Sequence, residues 1–324
     1  MQKICGRCSS PVRGKYCPVC GYDCESAEES VALKAGTVLD QRYVLGRVIG
    51  SGGFGITYLA YDTEEEKTVA IKEYYPKGVA LRGEDNLSVE PYASAQADEF
   101  RKGMESFRRE AEILSGLDAD VVMKIFGTFS QNGTVYYVMK YVHGITLKEY
   151  VSQNGKITEG QALYAAREAA ATFEAIHERN VIHRDLSPNN VMIDMDGRFR
   201  IVDFGNARQF FAKEGKSMTV NLKPGFAPLE QYQRHGNQGP WTDLYSLGMV
   251  LYYGLTLKVP EDPMARLDDD RIFQEELSRM NPRLAAVLEK LCQVKVQERY
   301  ACVQELSKAL DKLKIVPEYF RAGD

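Results

Sequence analysis

Four runs of residues in this 324-residue chain have the types and spacing to handle phosphate and a hydroxyl group. In His183-Arg184-Asp185-Leu186-Ser187-Pro188-Asn189-Asn190 an aspartate stands five residues before an asparagine. The carboxylate can orient an attacking hydroxyl or accept its proton, and the asparagine can ligate a metal. So polar a run beside Val191-Met192-Ile193 has little use in packing. Asp203-Phe204-Gly205 comes thirteen residues after Asn190, behind the apolar Ile201-Val202, and its carboxylate can face Mg2+. Alone the tripeptide means little; its order and distance give it weight. Gly50-Ser51-Gly52-Gly53-Phe54-Gly55 lets a backbone approach phosphates with no side chain in the way. By itself it reads better as a plain glycine-rich hairpin turn. Ile56-Thr57-Tyr58-Leu59 continues as a strand, where a dinucleotide-binding fold would place a helix. Val69-Ala70-Ile71-Lys72 ends on a lysine that is either a solvated strand end or a phosphate ligand, positioned by Glu110 or Glu112.

A second chemistry sits at the N-terminus. Of seven cysteines, five fall in the first 24 residues. Cys5-x-x-Cys8, eight residues, then Cys17-x-x-Cys20 resembles a short zinc ribbon, because four thiolates can enclose a tetrahedral Zn2+. Gly6, Gly14 and Gly21 suit its knuckle turns, and Cys24 is a spare ligand. A pair of redox dithiols is the competing explanation. So small a segment cannot build a core, and a metal accounts better for its order.

The elements that must carry these groups follow from hydrophobic period. Residues 43–49, 56–61 and 69–72 read as strands, 98–116 as a helix, and 121–129 and 134–142 as two further strands. Beyond about 146 the pattern turns helical, with Leu163, Ala166, Ala170, Phe173 and His177 along one face. Composition divides the chain into a Cys-rich segment at 1–24, a linker at 25–40 and a large domain at 41–324.

The motifs, in this order, make residues 43 to about 313 resemble a eukaryotic-type protein kinase domain. Ile71-Lys72-Glu73-Tyr74-Tyr75-Pro76 and Lys223-Pro224-Gly225-Phe226-Ala227-Pro228-Leu229-Glu230-Gln231-Tyr232 resemble the bacterial serine/threonine kinases. The resemblance implies an α+β, two-lobed fold: a β-rich N-lobe and an α-helical C-lobe, here preceded by the zinc ribbon. It implies transfer of the γ-phosphate of ATP, with Mg2+ or Mn2+, to Ser/Thr hydroxyls of proteins, autophosphorylation included. Gly50, Gly52 and Gly55 would cover the phosphates, and Lys72, paired with Glu110, would contact them. Ile49, Thr57, Ala70, Met139, Met192 and the hinge residues Tyr141 and Val142 would complete the ATP site. Asp185 would be the catalytic base or orienting group, with Asn190 and Asp203 on the metal. Glu230 and Arg299 would pair structurally, and Asp243 would anchor the catalytic loop from behind. Arg184 would meet a phosphate on the activation segment, whose hydroxyls are Thr219 and Ser217.

Three departures stand against that pattern. Ser187 occupies the place of a lysine near the transferring phosphate, Thr57 replaces a valine, and Lys223 replaces a threonine; Lys223 could partly replace the missing cation. Residues 74–97 exceed the usual link and receive no role from composition. A pseudokinase-type nucleotide-binding scaffold and a kinase-like small-molecule phosphotransferase are the rival functions. The formal net charge of -4 argues against nucleic acid as main partner. No apolar run approaches membrane-spanning length and no secretory leader is evident, so the cytoplasm is the expected compartment. The zinc ribbon could recruit partners; the protein substrates are not named by the sequence.

Overall fold

A computed structural model of the chain describes residues 31–117, 122–204, 222–233 and 236–321, and the backbone at 3–4, 11–12 and 208–209. Cys5, Cys8, Cys17, Cys20, Ser217 and Thr219 lie outside the described residues. The chain forms two compact units, Met1–Gly116 with Lys124–Tyr141, and Leu117–Met123 with Val142–Asp324. Each is treated by itself.

In the first unit β1 (Lys3–Ile4) pairs antiparallel with β2 (Pro11–Val12). There follow β3 (Val38–Leu39), β4 (Tyr43–Ser51), β5 (Gly55–Asp62), β6 (Lys67–Tyr74), β7 (Ala80–Arg82), β8 (Val89–Pro91), α1 (Ala97–Ser115), β9 (Ile125–Gln131) and β10 (Thr134–Lys140). Six of these form one antiparallel sheet in the order β3-β4-β5-β6-β10-β9. Helix α1 is amphipathic: Phe100, Phe107, Ala111 and Leu114 are buried, and Asp98 and Glu99 sit where the helix dipole favours acids. Phe107 stacks on Tyr137 of β10 at 4.8 Å, and Phe100 meets Tyr74 of β6 at 5.5 Å.

One finding differs from the composition-based reading, and another fills a stretch to which that reading gave no role. Residues 31–40, taken there as linker, pack: Leu33 and Leu39 are buried, and β3 pairs with β4. The packed region therefore starts no later than Val31, not at 41. Residues 74–97 are also structured. They form the β7–β8 hairpin, a 3-10 turn at Ser94–Gln96, and the start of α1.

The hairpin's position rests on a buried ion pair. Arg82 donates to both carboxylate oxygens of Glu73 at 2.8 Å. Tyr58 and Tyr136 donate their hydroxyls to the same carboxylate at 2.7 and 2.9 Å. Arg82 also donates to the Val31 carbonyl, and Leu33 N–H donates to the Tyr58 oxygen. Burial pushes both tyrosine hydroxyls well above their ordinary value, and the adjacent carboxylate adds to it. One-residue alternation along β6 puts Lys72 and Glu73 on opposite faces of the strand, so fixing one fixes the other.

In the second unit come β11 (Gly144–Thr146), α2 (Leu147–Asn154), α3 (Glu159–His177), β12 (Val181–Ile182), β13 (Val191–Asp194), β14 (Phe199–Ile201), β15 (Arg208–Gln209), α4 (Leu229–Tyr232), α5 (Pro240–Thr256), α6 (Pro263–Asp268), α7 (Arg271–Leu277), α8 (Pro282–Leu291) and α9 (Val303–Leu310). Helix α3 starts at a capping box: the Thr158 hydroxyl accepts from Gln161 N–H, and the Gln161 side chain accepts from Thr158 N–H, both at 3.0 Å. It packs against α5, which is buried along nearly its whole length. The helix face expected from Leu163, Ala166, Ala170 and Phe173 is buried as expected.

Arg82→Met removes one partner of a buried charge and leaves Glu73 uncompensated. It should cost about 3–5 kcal/mol. Adding Glu73→Gln to that variant should recover part of the loss. Denaturant melts of the single and double variants decide the matter; a neutral Arg82→Met would show that Glu73 does not depend on the pair.

Candidate active site

In the first unit the glycine run is the turn between β4 and β5. Gly52 N–H donates to the Gly55 carbonyl at 2.9 Å and closes it. The β5–β6 ladder runs from Asp62↔Lys67 to Gly55↔Tyr74, so the strand carrying Lys72 lies directly beside the loop. Residues after β6 hold the tip: Tyr75 N–H donates to the Phe54 carbonyl and Lys77 N–H to the Gly53 carbonyl. A Cβ on Gly55 would stand 2.3 Å from the Glu73 carbonyl oxygen, so only glycine fits there. Around Gly52 a Cβ would meet nothing within 4 Å, and around Gly50 only Thr57. That open space is compatible with an approaching ligand.

Lys72 is 4% exposed, its ammonium 5.8 Å from the Tyr137 ring centroid. Register sets Thr57 opposite Lys72 and Met139 opposite Ala70. Ala70 and Met139 are buried; Ile49 and Thr57 are half-buried. Glu110 is buried on α1 whereas Glu112 is exposed. Tyr141 is the last residue of the first unit, and Val142 belongs to the second.

The second unit carries the loop from β12 to β13. Its foundation is Asp243 on α5, with 0% exposure. Asp243 accepts from His183 N–H at 2.9 Å, from Arg184 N–H at 2.8 Å and from His177 Nε2 at 2.8 Å. Burial raises a carboxyl's pKa, but here the His177 bond and the loop amides outweigh burial, and Asp243 lies below its ordinary value. Directly after these bonds Arg184 takes φ 67°, the left-handed region unusual for a side chain with a Cβ. His183 is buried, its ring edge-on to Phe204 at 4.7 Å. Its Nδ1 accepts from Asp185 N–H at 3.3 Å, which assigns the proton to Nε2, 3.3 Å from the Val202 carbonyl.

Asp185 and Asn190 face each other across this loop. Asn190 Nδ2 donates to the Asp185 carbonyl at 2.7 Å and to its carboxylate at 3.1 Å. The amide nitrogen is thus committed to Asp185, so Oδ1 is the Asn190 atom that suits a hard cation. Val202 N–H donates to the Asn190 carbonyl at 2.9 Å, tying in the strand that leads to Asp203. Asp203 also has a positive φ, 61°. Left-handed conformations at Arg184, beside Asp185, and at Asp203 itself are strain held by surrounding bonds. Met192 is half-buried on β13. Among the described residues no group of three or more His, Cys, Asp or Glu could hold a metal by itself. A site of one aspartate and one asparagine suits Mg2+, which is commonly completed by water and phosphate oxygens.

The segment from Lys223 is pinned to the same unit. Arg299 donates to both oxygens of Glu230 at 2.8 and 3.0 Å and to the carbonyls of Gln293 and Val294. Thr242 adds a bond to Glu230 at 3.0 Å. Gln231 Nε2 donates to the Arg184 carbonyl at 2.8 Å, and the Lys223 ammonium lies 4.0 Å from Asp185 Oδ1.

A family model described as the protein kinase domain matches residues 43–310. The chain belongs to this family. The kinase domain is 32% identical over 227 residues to serine/threonine-protein kinase PrkC of Bacillus subtilis (strain 168), covering 70% of this chain and 32% of that protein. It is 29% identical over 292 residues to serine/threonine-protein kinase F of Synechocystis sp., covering 85% of this chain and 56% of that protein. The chain thus spans between a third and somewhat over half of these two relatives. The solved structure of PpkA-294 in its apo form matches with a TM-score of 0.70 at 30% identity, over 86% of this chain and 99% of that one. The fold is the protein kinase fold, with a β-rich N-lobe and a helical C-lobe.

Sequence reasoning about this kinase domain missed His177, Gln231, Tyr75 and Lys77. His177 was assigned to a helix face; its bond to Asp243 spans 66 positions and has no local signature. The other three act through backbone or amide bonds that no residue pattern announces.

Asp243→Asn should loosen the catalytic loop. The native carboxyl binds its proton less readily than the unfolded one, so its contribution is complete at neutral pH and is lost as pH falls through the depressed native value. The variant should lose about 2–4 kcal/mol at neutral pH, with the gap to wild type narrowing in acid. Amide exchange at His183 and Arg184 should accelerate. A denaturation series across pH, with hydrogen exchange, measures both; parallel pH curves would remove Asp243 as the anchor.

Proposed function

We propose that the chain is an ATP-dependent protein kinase that transfers the γ-phosphate to serine or threonine hydroxyls of proteins, its own included. The observation carrying this reading is Asp185, whose carboxylate is oriented by Asn190 on a loop whose backbone Asp243 holds. In this reading Asp185 orients the acceptor hydroxyl and takes its proton. Lys72, positioned by Glu110, holds the α- and β-phosphates under Gly50, Gly52 and Gly55. Ile49, Thr57, Ala70, Met139, Tyr141, Val142 and Met192 surround the adenine. A bound divalent ion, Mg2+ or Mn2+, supplies charge neutralisation on the phosphates, and Asn190 and Asp203 are its ligands.

The N-terminal segment, residues 1–24, is proposed as a zinc ribbon with Cys5, Cys8, Cys17 and Cys20 as ligands and partner recruitment as its role. Cysteine spacing supports it. Among the described residues no helix is long and apolar enough to cross a membrane. The cytoplasm, where ATP and protein acceptors coexist, is the compartment that suits the reading. Regulation is proposed through Thr219, with Ser217 second, as phosphate partners of Arg184.

Asp185→Asn should abolish phosphate transfer from radiolabelled ATP while leaving nucleotide affinity within about twofold, since Asp185 faces the hydroxyl and not the nucleotide. Lys72→Met and Asp203→Ala should also be inactive. Mapping phosphosites on the active protein tests Thr219 and Ser217 in the same experiment. Autophosphorylation of Asp185→Asn at the wild-type rate would sink the assignment and favour a scaffold role.

Metal-replete protein should contain about one Zn2+ per chain by elemental analysis. Deleting residues 1–24 should remove it and leave the kinase domain folded, because Val31 and Leu33 keep their bonds to Arg82 and Tyr58. Zinc-free protein would refute the ribbon.

A further inference from the structure

We propose that Lys223 is a catalytic residue: its ammonium supplies the positive charge on the transferring phosphoryl group beside Asp185. The inference rests on the kinase reading above.

Three observations carry it. First, the catalytic loop offers no lysine between Asp185 and Asn190. Ser187 is 2% exposed, and its hydroxyl has no hydrogen-bond partner among the described residues. A neutral, buried hydroxyl cannot offset charge developing outside it. Second, Lys223 places its ammonium 4.0 Å from Asp185 Oδ1, with its side chain 37% exposed. That distance is too long for a contact hydrogen bond, so its three donors are not saturated by the carboxylate. An acceptor hydroxyl bonded to Asp185 would attack phosphorus from about 3–3.5 Å. A flexible ammonium this near the carboxylate then reaches the phosphoryl oxygens with a small change of rotamer.

Third, the backbone under Lys223 is fixed. Its carbonyl accepts from Phe226 N–H and Ala227 N–H, both at 3.0 Å. Gly225 turns with φ 80°, and a Cβ there would stand 2.2 Å from the Pro260 carbonyl oxygen, so the turn admits only glycine. Ser246 bonds the Phe226 carbonyl at 2.9 Å, and Glu230 is clamped by Arg299. Gln231 then joins this segment to the catalytic loop at the Arg184 carbonyl. The result is a mobile cation on a rigid base, aimed at the candidate catalytic carboxylate. An ion pair serving only to tie two segments together would be redundant beside the Gln231 bond.

In the step, the acceptor oxygen bonds to the γ-phosphorus as the bond from phosphorus to the β–γ bridging oxygen breaks. ADP leaves with that electron pair, and the hydroxyl proton passes to Asp185. Lys223 exchanges no proton; it offsets the charge on the phosphoryl oxygens, where preorganised charge is worth most.

The test uses the full chain, radiolabelled ATP with Mg2+, and two acceptors: the chain itself and dephosphorylated casein. Lys223→Met should lower the maximal transfer rate about 10- to 100-fold, the range for one such group discounted for partial exposure. Lys223→Arg should retain clearly more activity than Lys223→Met. ADP affinity by calorimetry and the melting temperature should stay at wild-type values in both, which a merely structural role would not allow. A Lys223→Met protein at the wild-type rate, an arginine variant no better than the methionine one, or a rate loss matched by a lowered melting temperature would each overturn the proposal. With wild type active and Asp185→Asn inert, any of these sinks this inference alone. A wild type that transfers no label to either acceptor fails the kinase reading, and the inference falls with it.

Discussion

A single carboxylate without solvent access holds the chemistry of the helical lobe in place. Asp243 accepts two consecutive backbone N–H groups, from His183 and Arg184, and a third bond from His177. Both amides point at the one carboxylate, and directly after them the chain turns at Arg184, with its left-handed φ of 67°. The strain is local and of order 1–3 kcal/mol; charge-assisted bonds to a buried anion are strong enough to offset it. Asp185, the next residue, inherits its position from this arrangement. So does Asn190, whose amide bonds back to Asp185. The helix α5 therefore serves the site through a residue that would not itself meet substrate.

The domain uses the same device twice more, at places where a charge is buried with its whole bonding capacity occupied. Glu230 with Arg299 fixes the segment after Lys223, and Glu73 with Arg82 fixes the strand of Lys72. Buried pairs are poor sources of net stability, since desolvation cancels much of the attraction. Their value here is geometric. Each arginine makes further bonds to backbone carbonyls, Gln293 and Val294 for Arg299, Val31 and Leu87 for Arg82. An apolar replacement could fill the volume but could not fix which backbone atoms meet.

The motifs were readable because each concentrates its chemistry in a few adjacent residues. The helix period of α1 was readable because one face of it is buried, whereas β5 and β6, buried on both faces, read as short apolar runs bounded by turns. Glu110, three residues after Phe107 and four before Leu114, shares the apolar face of α1, whereas Glu112 points away from it, in line with the resemblance's assignment of Glu110. Residues 31–40 were read as linker together with the acidic stretch of Glu25, Glu28 and Glu29 before them, and are too short to show a period; two buried leucines and one ladder pack them. Residues 74–97 gave no periodic signal for the same reason: their hairpin strands are three residues each. Its place depends on Arg82, a residue type that normally marks a surface.

That hairpin changes how the N-lobe must be understood. Strand alternation sends Lys72 to one face of β6 and Glu73 to the other. On the Glu73 side, Arg82 gathers the hairpin and the Val31 carbonyl into one cluster with Tyr58 and Tyr136. Along the same strand, β6 runs on into Tyr75 and Lys77, whose N–H groups hold the Phe54 and Gly53 carbonyls of the glycine loop. The residues inserted after Lys72 thus touch both the loop that would cover the phosphates and the chain that leads to the cysteine-rich segment. The link is made of backbone and side-chain hydrogen bonds within one unit, of which those of Tyr58 are buried and those of Arg82 part-buried. A displacement of residues 31–33 would have to be absorbed by Arg82 or Tyr58, and both bond directly to the residue next to Lys72.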